Sequence, residues 1–376
     1  MKKKFFIVIA VMMAFSLMMA ACGGGMTTPP ADTTPAPAPD TTAPAPDTTA
    51  PAGDVVELTL MNHEGPQSAT AYMIDAWCAA VKEASGGSLI VTPFHGSLGG
   101  PRDTYNMILD GSVDMGFGLP SFYPGVFPGS DCIALPFIGA MNSMQAGHAM
   151  QELYETTDYL KPEWSDVHVI CLYTNTVAPL ITADKKVETI NDVKGLNIRT
   201  IGGPVTEWAK LAGANPMTID LGEIYTSFEK GVINAVTAVG WEAVEATKIY
   251  ELGNYFLDYE MQVNPTFLVM NQAKYDSLSD ENKAIIDSLS GHKAIDIQGD
   301  MREQARQRVY QTIADRGGDV YKLPDAEQAK FVTLGEQARQ SWRDSANAAG
   351  IDAAALEAKT IELLAKYAEQ YPDVSN

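Results

Sequence analysis

The chain has 376 residues, of which 46% are hydrophobic and 19% are charged, with 31 glycines and 22 prolines. These values are typical of a globular protein and exclude a multi-span membrane protein, a collagen and a wholly disordered chain. The formal charge is −21, from 26 basic and 47 acidic residues. Nucleic acid is therefore an unfavourable partner, because its phosphate backbone is also anionic.

The first 22 residues have the pattern of an export signal. Three lysines at 2–4 precede an uncharged apolar run at 5–21, which is short for a bilayer span but suits a signal peptide. The run ends in Met-Ala-Ala-Cys, which resembles a bacterial lipobox with Cys22 as the lipidated residue. We expect a lipoprotein signal peptide at 1–22 and a mature chain anchored by lipid to the bacterial cell membrane, in the periplasm or on the outer face. An ordinary signal peptide and an uncleaved anchor are the alternatives.

Residues 23–53 have the composition of a linker. They are almost entirely Pro, Ala, Thr, Asp and Gly, and the heptapeptide Pro-Ala-Pro-Asp-Thr-Thr-Ala occurs at 37–43 and again at 44–50. Such a segment cannot build a core, so we predict a disordered tether with polyproline II bias. It would keep a folded body close to the membrane surface.

From residue 55 onward, strand patterns alternate with helix patterns. Ser68 is a candidate N-cap for a helix that ends at Gly86-Gly87, and the strand at 167–173 is apolar almost throughout. The predicted strands are 55–60, 89–94, 113–117, 167–173, 196–200, 232–239 and 267–270, and the helices between them are at 69–84, 104–109, 144–160, 205–212, 224–230 and 241–252. This order predicts an α/β fold with mostly parallel sheet and helices on both faces. There is too much sheet for one small domain, so we expect two lobes.

The C-terminal third is predicted to be helical. Residues 279–315 contain no proline and, as one helix, would span about 55 Å at 1.5 Å per residue, enough to link both lobes. Gly291 and Gly299 offer the alternative of a broken helix. Two amphipathic helices, at 325–349 and 352–371, are expected to pack on the outside of a lobe.

Signatures of enzymes are absent from the sequence. It contains no phosphate-binding Gly-x-x-x-x-Gly-Lys, no Gly-x-Ser-x-Gly and no zinc-ligand spacing, and its five histidines are scattered. We therefore expect no catalytic residue, metal or cofactor. Cys78, Cys132 and Cys171 remain besides Cys22, and buried free thiols are their expected state.

Arg199 is the residue whose position most suggests binding. It ends an apolar strand, and no other arginine occurs between Arg102 and Arg302. Ligands of open α/β sheets bind at the carboxyl ends of strands, and a guanidinium matches the geometry of a carboxylate. A structural ion pair with one of the many acidic residues is the alternative.

The segment Asp192–Arg199, Asp-Val-Lys-Gly-Leu-Asn-Ile-Arg, resembles the Asp-Leu-Lys-Gly-Leu-Lys-Ile-Arg signature of the solute-binding proteins of tripartite ATP-independent periplasmic (TRAP) transporters. Further segments resemble this family in the same order: Ala84–Leu89, Gly96–Gly99, Asp110–Met115, Leu135–Phe137, Gly213–Pro216, Glu223–Tyr225 and Lys230–Asn234. The resemblance covers residues 55–371. It implies a periplasmic-binding-protein-like fold, in which two α/β lobes close on an organic acid and a long helix crosses both. On this basis we assign residues 55–177 and 264–304 to one lobe and residues 178–263 and 305–376 to the other.

The resemblance also implies site residues. Arg199 matches the family arginine that clamps the carboxylate, and Asn62 matches a first-strand position that often contacts the ligand. Further pocket positions are Leu119, Leu221, Ala238 and Asn264, the last beside the hinge. From local position we add Glu64, Phe117, Asn175 and Trp241, with a core aromatic as the alternative for Trp241.

Two departures narrow the predicted ligand. Relatives that bind sugar acids carry a second arginine about twenty residues before the clamp, where this chain has Pro179, and the pocket positions 119, 221 and 238 are apolar. We therefore predict a small monocarboxylate with a modest hydrophobic body, captured without catalysis and delivered to an ion-gradient-driven TRAP permease in the membrane. Binding for an ATP-driven importer, presentation of a ligand to a membrane receptor, and hydrolysis are the rival hypotheses.

Overall fold

The structure is a computed structural model that describes residues 55–373. The predicted signal peptide, the lipidation site Cys22 and the whole predicted tether at 23–53 lie outside the described residues. Within 55–373 the chain forms mixed α/β structure with two separate sheets.

The two sheets define two lobes. Lobe I holds a five-stranded sheet in the order β2-β1-β3-β10-β4, and lobe II holds a six-stranded sheet in the order β11-β9-β5-β8-β6-β7. The strands are β1 (Val56–Asn62), β2 (Leu89–His95), β3 (Met115–Gly118), β4 (Val167–Thr174), β5 (Leu180–Thr182), β6 (Asn197–Thr200), β7 (Asn215–Thr218), β8 (Ala235–Val236), β9 (Tyr255–Leu257), β10 (Pro265–Asn271) and β11 (Asp319–Tyr321). The order of the strands confirms the prediction of two α/β lobes, while the lobe boundaries at single residues stay a prediction.

The helices cover these sheets. They are α1 (Ala69–Ala84), α2 (Thr104–Leu109), α3 (Ser143–Thr156), α4 (Gly203–Leu211), α5 (Ile224–Glu229), α6 (Trp241–Thr247), α7 (Gln272–Asp276), α8 (Asp280–Ser288), α9 (His292–Gln298), α10 (Met301–Asp315), α11 (Asp325–Ala348) and α12 (Ala353–Ala368). Short 3-10 helices occur at Pro120–Phe122, Ser130–Ala134, Lys161–Trp164, Ile190–Val193, Leu221–Glu223 and Ile249–Glu251.

Helix α1 shows how the sequence fixes these elements. Ser68 caps it, because its side chain accepts a hydrogen bond from the backbone N–H of Ala71. Trp77 is fully buried on the apolar face and donates from its indole nitrogen to the carbonyl of Leu289 at 2.8 Å. Gly86, with φ at 59°, then turns the chain toward β2 in a conformation that favours glycine.

The prediction of mostly parallel sheet is wrong in part. β1 pairs parallel with β2 and β3, but β10 runs antiparallel to both of its neighbours. In lobe II, β5 is likewise antiparallel to β8 and β9. Strands β5 and β10 each begin directly after the chain has crossed from one lobe to the other. Each strand therefore enters its sheet from the side that faces the other lobe.

The crossing point consists of two chain segments that lie side by side. Asn175 and Asn264 are bonded through the backbone N–H of Asn175, which donates to the carbonyl of Asn264 at 3.1 Å. The N–H of Asn264 donates in return to Oδ1 of Asn175 at 2.6 Å, and the N–H of Ala178 donates to the carbonyl of Gln262 at 2.9 Å. These bonds hold the two segments together between the lobes.

The single long helix considered for residues 279–315 is divided into three. It breaks at Gly291 and Gly299, which have φ values of 61° and 58°, a region that glycine adopts without strain. The lobe-spanning helix is therefore α10 alone, which packs on α1 of lobe I and on α6 of lobe II.

The three cysteines within the described residues are free and buried, as expected. Among residues 55–373, no helix combines the length and the apolar character that crossing a membrane requires.

Candidate functional site

A small cavity lies between the lobes, at the carboxyl ends of β3 and β6. Its free space is about 50 Å³, which holds a few water molecules. Eight of the ten predicted ligand-binding residues line it: Glu64, Phe117, Leu119, Asn175, Arg199, Leu221, Ala238 and Asn264. The structure thus brings together residues that are up to 200 positions apart in the chain, from 64 to 264.

Arg199 enters the cavity from the end of β6, in the interior of the lobe II sheet. Its Nε donates to the carbonyl of Ile219 at 2.9 Å, and its Nη1 donates to the carbonyls of Thr237 and Ala238 at 3.3 and 2.9 Å. These bonds fix the plane of the guanidinium. Among the described residues no atom accepts a hydrogen bond from Nη2, so this edge of the fork is available to a ligand.

Within residues 55–373, the charge of Arg199 lacks a counterion. The residue is 2% exposed and forms no ion pair with any acid of residues 55–373. Burial lowers the pKa of Arg199 to about 9, and the attraction of Asp220 opposes this fall. The three carbonyls solvate the cation partly, and a bound anion would stabilise it further.

The wall beside Arg199 is the loop between β8 and α6. Ala238 has a φ of 58°, an unusual value for a residue with a side chain, and this conformation presents its carbonyl to the guanidinium. Gly240 follows, where a Cβ would overlap the carboxylate of Glu242. Of the predicted strand 232–239, only Ala235–Val236 form a strand, because the residues that follow belong to this loop.

Glu242 was not predicted as a site residue. It lines the cavity, is 7% exposed, and its carboxylate accepts hydrogen bonds from the hydroxyl and backbone N–H of Thr176. Burial raises the pKa of Glu242, while the attraction of Arg302 and the hydrogen bond from Thr176 oppose the rise.

Arg302 is a second arginine in the cavity, and it was also missed. It comes from the first turn of α10 and is 2% exposed. Its Nη1 donates to the carbonyl of Thr174 and its Nη2 donates to Oγ1 of Thr70 at 3.3 Å. The guanidinium lies 4.8 Å from the centroid of the Tyr173 ring.

Aromatic rings form the lobe I side of the cavity. Phe117 is buried, and the ring of His63 stacks on it at a centroid distance of 5.5 Å. Phe122 meets the His63 ring edge-on at 6.0 Å. Burial lowers the pKa of His63, so it acts here as a neutral ring in the wall. His63 is therefore a packing residue that faces the site.

Two predicted site residues do not line the cavity. The side chain of Asn62 is fully buried, where it pairs with Nδ1 of His95 at 2.9 Å and accepts a hydrogen bond from the backbone N–H of Glu64 at 3.0 Å. It therefore positions Glu64 instead of reaching the cavity. Trp241 is a core residue, the alternative considered above: its ring lies 4.6 Å from that of Tyr310, and its Nε1 donates to Asp258 at 3.4 Å.

The lining residues that the sequence reasoning missed are His63, Phe122, Ile201, Val239, Gly240, Glu242, Ala243, Thr266 and Arg302. Most are direct neighbours of predicted residues, so extending each predicted position by one or two residues would have found them. Among residues 55–373, no group of three or more His, Cys, Asp or Glu side chains is arranged to hold a metal ion.

A family model and a curated relative that match this chain are both described as solute-binding or periplasmic binding proteins. Residues 61–345 match the family described as bacterial extracellular solute-binding protein, family 7 (DctP). The 2,3-diketo-L-gulonate-binding periplasmic protein YiaO of Escherichia coli K12 is 27% identical over 271 residues, which are 70% of this chain and 79% of YiaO.

Two solved structures share the fold. A TRAP solute-binding protein from Rhodoferax ferrireducens T118, in complex with copurified benzoate, superposes with a TM-score of 0.78 at 26% identity, covering 84% of this chain and 99% of that one. A marine-metagenome TRAP solute-binding protein from an unidentified microbe, described as specific for aromatic acid ligands and bound to metahydroxyphenylacetate, gives a TM-score of 0.77 at 26% identity, covering 83% and 99%.

Proposed function

The chain belongs to family 7 of the bacterial extracellular solute-binding proteins, the TRAP solute-binding proteins, and from this premise we propose that it captures a small organic carboxylate with Arg199 as its lobes close. The bound acid is then delivered to a TRAP-type permease driven by an ion gradient. The role is transport, and no residue of the site is assigned a catalytic function.

The unpaired charge of Arg199 is the observation that carries the proposal. A buried guanidinium is costly unless an anion accompanies it. Three backbone carbonyls hold Arg199 in place, and no acid among the described residues neutralises it. A carboxylate bound at Nη2 would supply the missing charge with hydrogen bonds of matching geometry.

The lining of the cavity favours an acid with a hydrophobic body. Phe117, Leu119, Leu221 and Ala238 contribute apolar surface around the arginine. The two structural relatives described above were solved with benzoate and with metahydroxyphenylacetate, which are aromatic monocarboxylates. We therefore propose a small monocarboxylate, aliphatic or aromatic, as the ligand.

Binding requires the lobes to move. The free space of about 50 Å³ is too small for an aromatic acid: an engineered protein cavity that binds benzene has about 150 Å³. The paired segments at Asn175 and Asn264 are the hinge about which we propose that the lobes open and close. Closure excludes water, which strengthens the charged hydrogen bonds at Arg199.

We also propose that the protein works at the membrane surface. A lipid on Cys22 and the Pro- and Thr-rich tether at 23–53 would hold the folded body near its permease. No nucleic acid and no cofactor take part in this scheme.

Titration of small carboxylates against wild type and Arg199→Met tests the proposal. In calorimetry with benzoate and butyrate as first probes, the variant should bind at least about 30-fold more weakly, because losing one partner of a buried charge pair costs about 2–5 kcal/mol. Circular dichroism establishes that the variant is folded. Lys194→Gln, an exposed lysine before β6, is the matched control and should bind like wild type. Wild-type affinity in Arg199→Met would show that the clamp is assigned wrongly.

A further inference from the structure

The described residues contain four buried arginines, and they fall into two classes. Arg306 pairs with Asp258 at 3.0 Å and Arg339 pairs with Glu357 at 3.2 Å, as buried structural arginines usually do. Arg199 and Arg302 form no ion pair with any of residues 55–373. These two, and neither of the others, line the cavity.

Arg302 also has an unused donor. Its Nη1 and Nη2 donate to Thr174 and Thr70, but its Nε is buried and has no hydrogen-bond acceptor among the described residues. A buried N–H without an acceptor costs free energy comparable to a lost hydrogen bond. In a residue that lines a ligand cavity, an oxygen of the ligand is the natural acceptor.

The two arginines approach the cavity from different elements. Arg199 ends a strand of lobe II, whereas Arg302 stands in the first turn of α10, with both of its hydrogen-bond partners in lobe I. A ligand whose carboxylate pairs with Arg199 therefore has a different part of its body near Arg302.

We propose that Arg302 is a specificity-determining residue that binds a second oxygen, a hydroxyl or carbonyl, on the ligand held by Arg199. The ligand class is then a hydroxy or keto acid instead of a simple carboxylate. Glu242 is buried in the lining of the same cavity, where its carboxylate would repel a second carboxylate on the ligand, so a neutral oxygen is the favoured partner of Arg302. The inference rests on the proposed function, because it presupposes an acid at Arg199.

Matched ligands that differ in one oxygen test the inference. The panel is benzoate with its three monohydroxy isomers and with isophthalate, and butyrate with its 2-, 3- and 4-hydroxy derivatives. Wild type should bind at least one hydroxy acid about tenfold or more tightly than its parent, since a hydrogen bond to a charged group contributes about 1.5–3 kcal/mol. Isophthalate should gain nothing over benzoate. Equal affinities within every pair would overturn the inference.

Variants assign the preference to Arg302. Arg302→Met should bind the parent acid and its hydroxy derivative with nearly equal affinity, so the ratio of the two affinities is the readout. Arg302→Lys, which keeps the cation but lacks Nε, should lose at least about two-thirds of the preference and remains informative if the methionine variant does not fold. Arg339→Lys is the control for loss of a buried arginine, and it should change stability without changing the ratio of affinities. If both Arg302 variants keep the wild-type ratio of affinities for the hydroxy acid and its parent, Arg302 has only a structural role.

The outcomes separate this inference from the proposed function. If wild type binds none of the acids, and Arg199→Met behaves in the same way, the proposed function fails. If wild type binds the acids but does not distinguish the members of a pair, the clamp stands and only the role of Arg302 is rejected.

Discussion

Arg102 of lobe I and Asp220 of lobe II form an ion pair across the cleft, with Nη2 of the arginine 3.1 Å from Oδ1 of the aspartate. Asp220 directly precedes Leu221, and the guanidinium of Arg102 lies 5.6 Å from the ring centroid of Phe122. Leu221 and Phe122 both line the ligand cavity. The pair therefore joins the two lobes at the edge of the site, and it can form only when they are close together.

Breaking this pair should speed the release of ligand. Both side chains are about half exposed, at 50% and 46%, so the pair is screened and contributes about 0.2–1 kcal/mol to the closed state. Arg102→Gln and Asp220→Asn should each raise the dissociation rate of a bound acid by up to about fivefold at low salt. Stopped-flow measurement of ligand displacement gives this rate, and the difference from wild type should shrink at high salt.

The control for that prediction is an ion pair within one helix, in which Lys330 is 55% and Glu327 is 23% exposed. Lys330 and Glu327 lie 2.7 Å apart on α11, away from the cleft, so Lys330→Gln should leave the dissociation rate unchanged. Unchanged rates in both cleft variants would show that the pair does not latch the closed form.

Trp241 should matter for stability and not for binding. Its indole is fully buried, contacts the ring of Tyr310 and donates to Asp258. Trp241→Phe removes this hydrogen bond and leaves a partial cavity, so the free energy of unfolding should fall by about 1–3 kcal/mol. Denaturant titration measures the loss, while calorimetry should give a ligand affinity within twofold of wild type. Leu221→Ala, at a lining position, is the contrasting variant. It should reduce the free energy of ligand binding by more than it reduces the free energy of unfolding. A large loss of affinity in Trp241→Phe would restore it as a site residue.

The location of the site was predictable from the sequence because strand ends carry it. Arg199 and Phe117 end or nearly end apolar strands, and the carboxyl ends of such strands converge between the lobes. The apolar pattern that reveals a strand therefore also reveals which residues follow it. The N-cap at Ser68 was also predictable from the sequence, because capping depends on residues only three positions apart.

Features that depend on long-range packing escaped prediction. Arg302 lies in a polar helix, where an arginine is normally read as exposed, and only the distant partners Thr70 and Thr174 bury it. Trp241 was predicted from its local position to contact the ligand, but its ring packs in the core against Tyr310, 69 positions later. No local pattern carries that information.

The stability contributed by Asp131 should fall with rising pH. Burial, assisted by repulsion from Glu163, raises the pKa of Asp131 from its ordinary value of 3.8 to about 7. The folded state therefore binds this proton more tightly than the unfolded state, and between about pH 4 and pH 7 each rise in pH weakens folding. Asp131→Asn removes this cost. The variant should therefore exceed wild type in free energy of unfolding by little near pH 4, by more as the pH rises to 7, and by a constant amount above pH 7.

Thermal unfolding across pH 4–9 measures this profile. At pH 8 the variant should be more stable by roughly 1–3 kcal/mol, less than the full shift implies, because Asp131 is partly exposed. Asp158→Asn removes a carboxylate that is 96% exposed, and as the control it should not show the gain in stability between pH 4 and pH 7. A constant offset for Asp131→Asn at all pH values would show that the pKa of its carboxyl is not raised.

Counting thiols should reveal whether Cys22 carries a lipid. Cys78, Cys132 and Cys171 are buried, and burial raises the pKa of each thiol to about 12, so none should react with a thiol reagent at pH 8 while the protein is folded. After denaturation these three should all react. Lipidation through a thioether would leave the count at three for protein isolated from membranes, whereas an unmodified Cys22 would raise it to four. Cys22→Ser should give three in either case. Four reactive thiols in the wild-type protein would exclude the thioether, and rapid reaction before denaturation would contradict the buried positions of the other three.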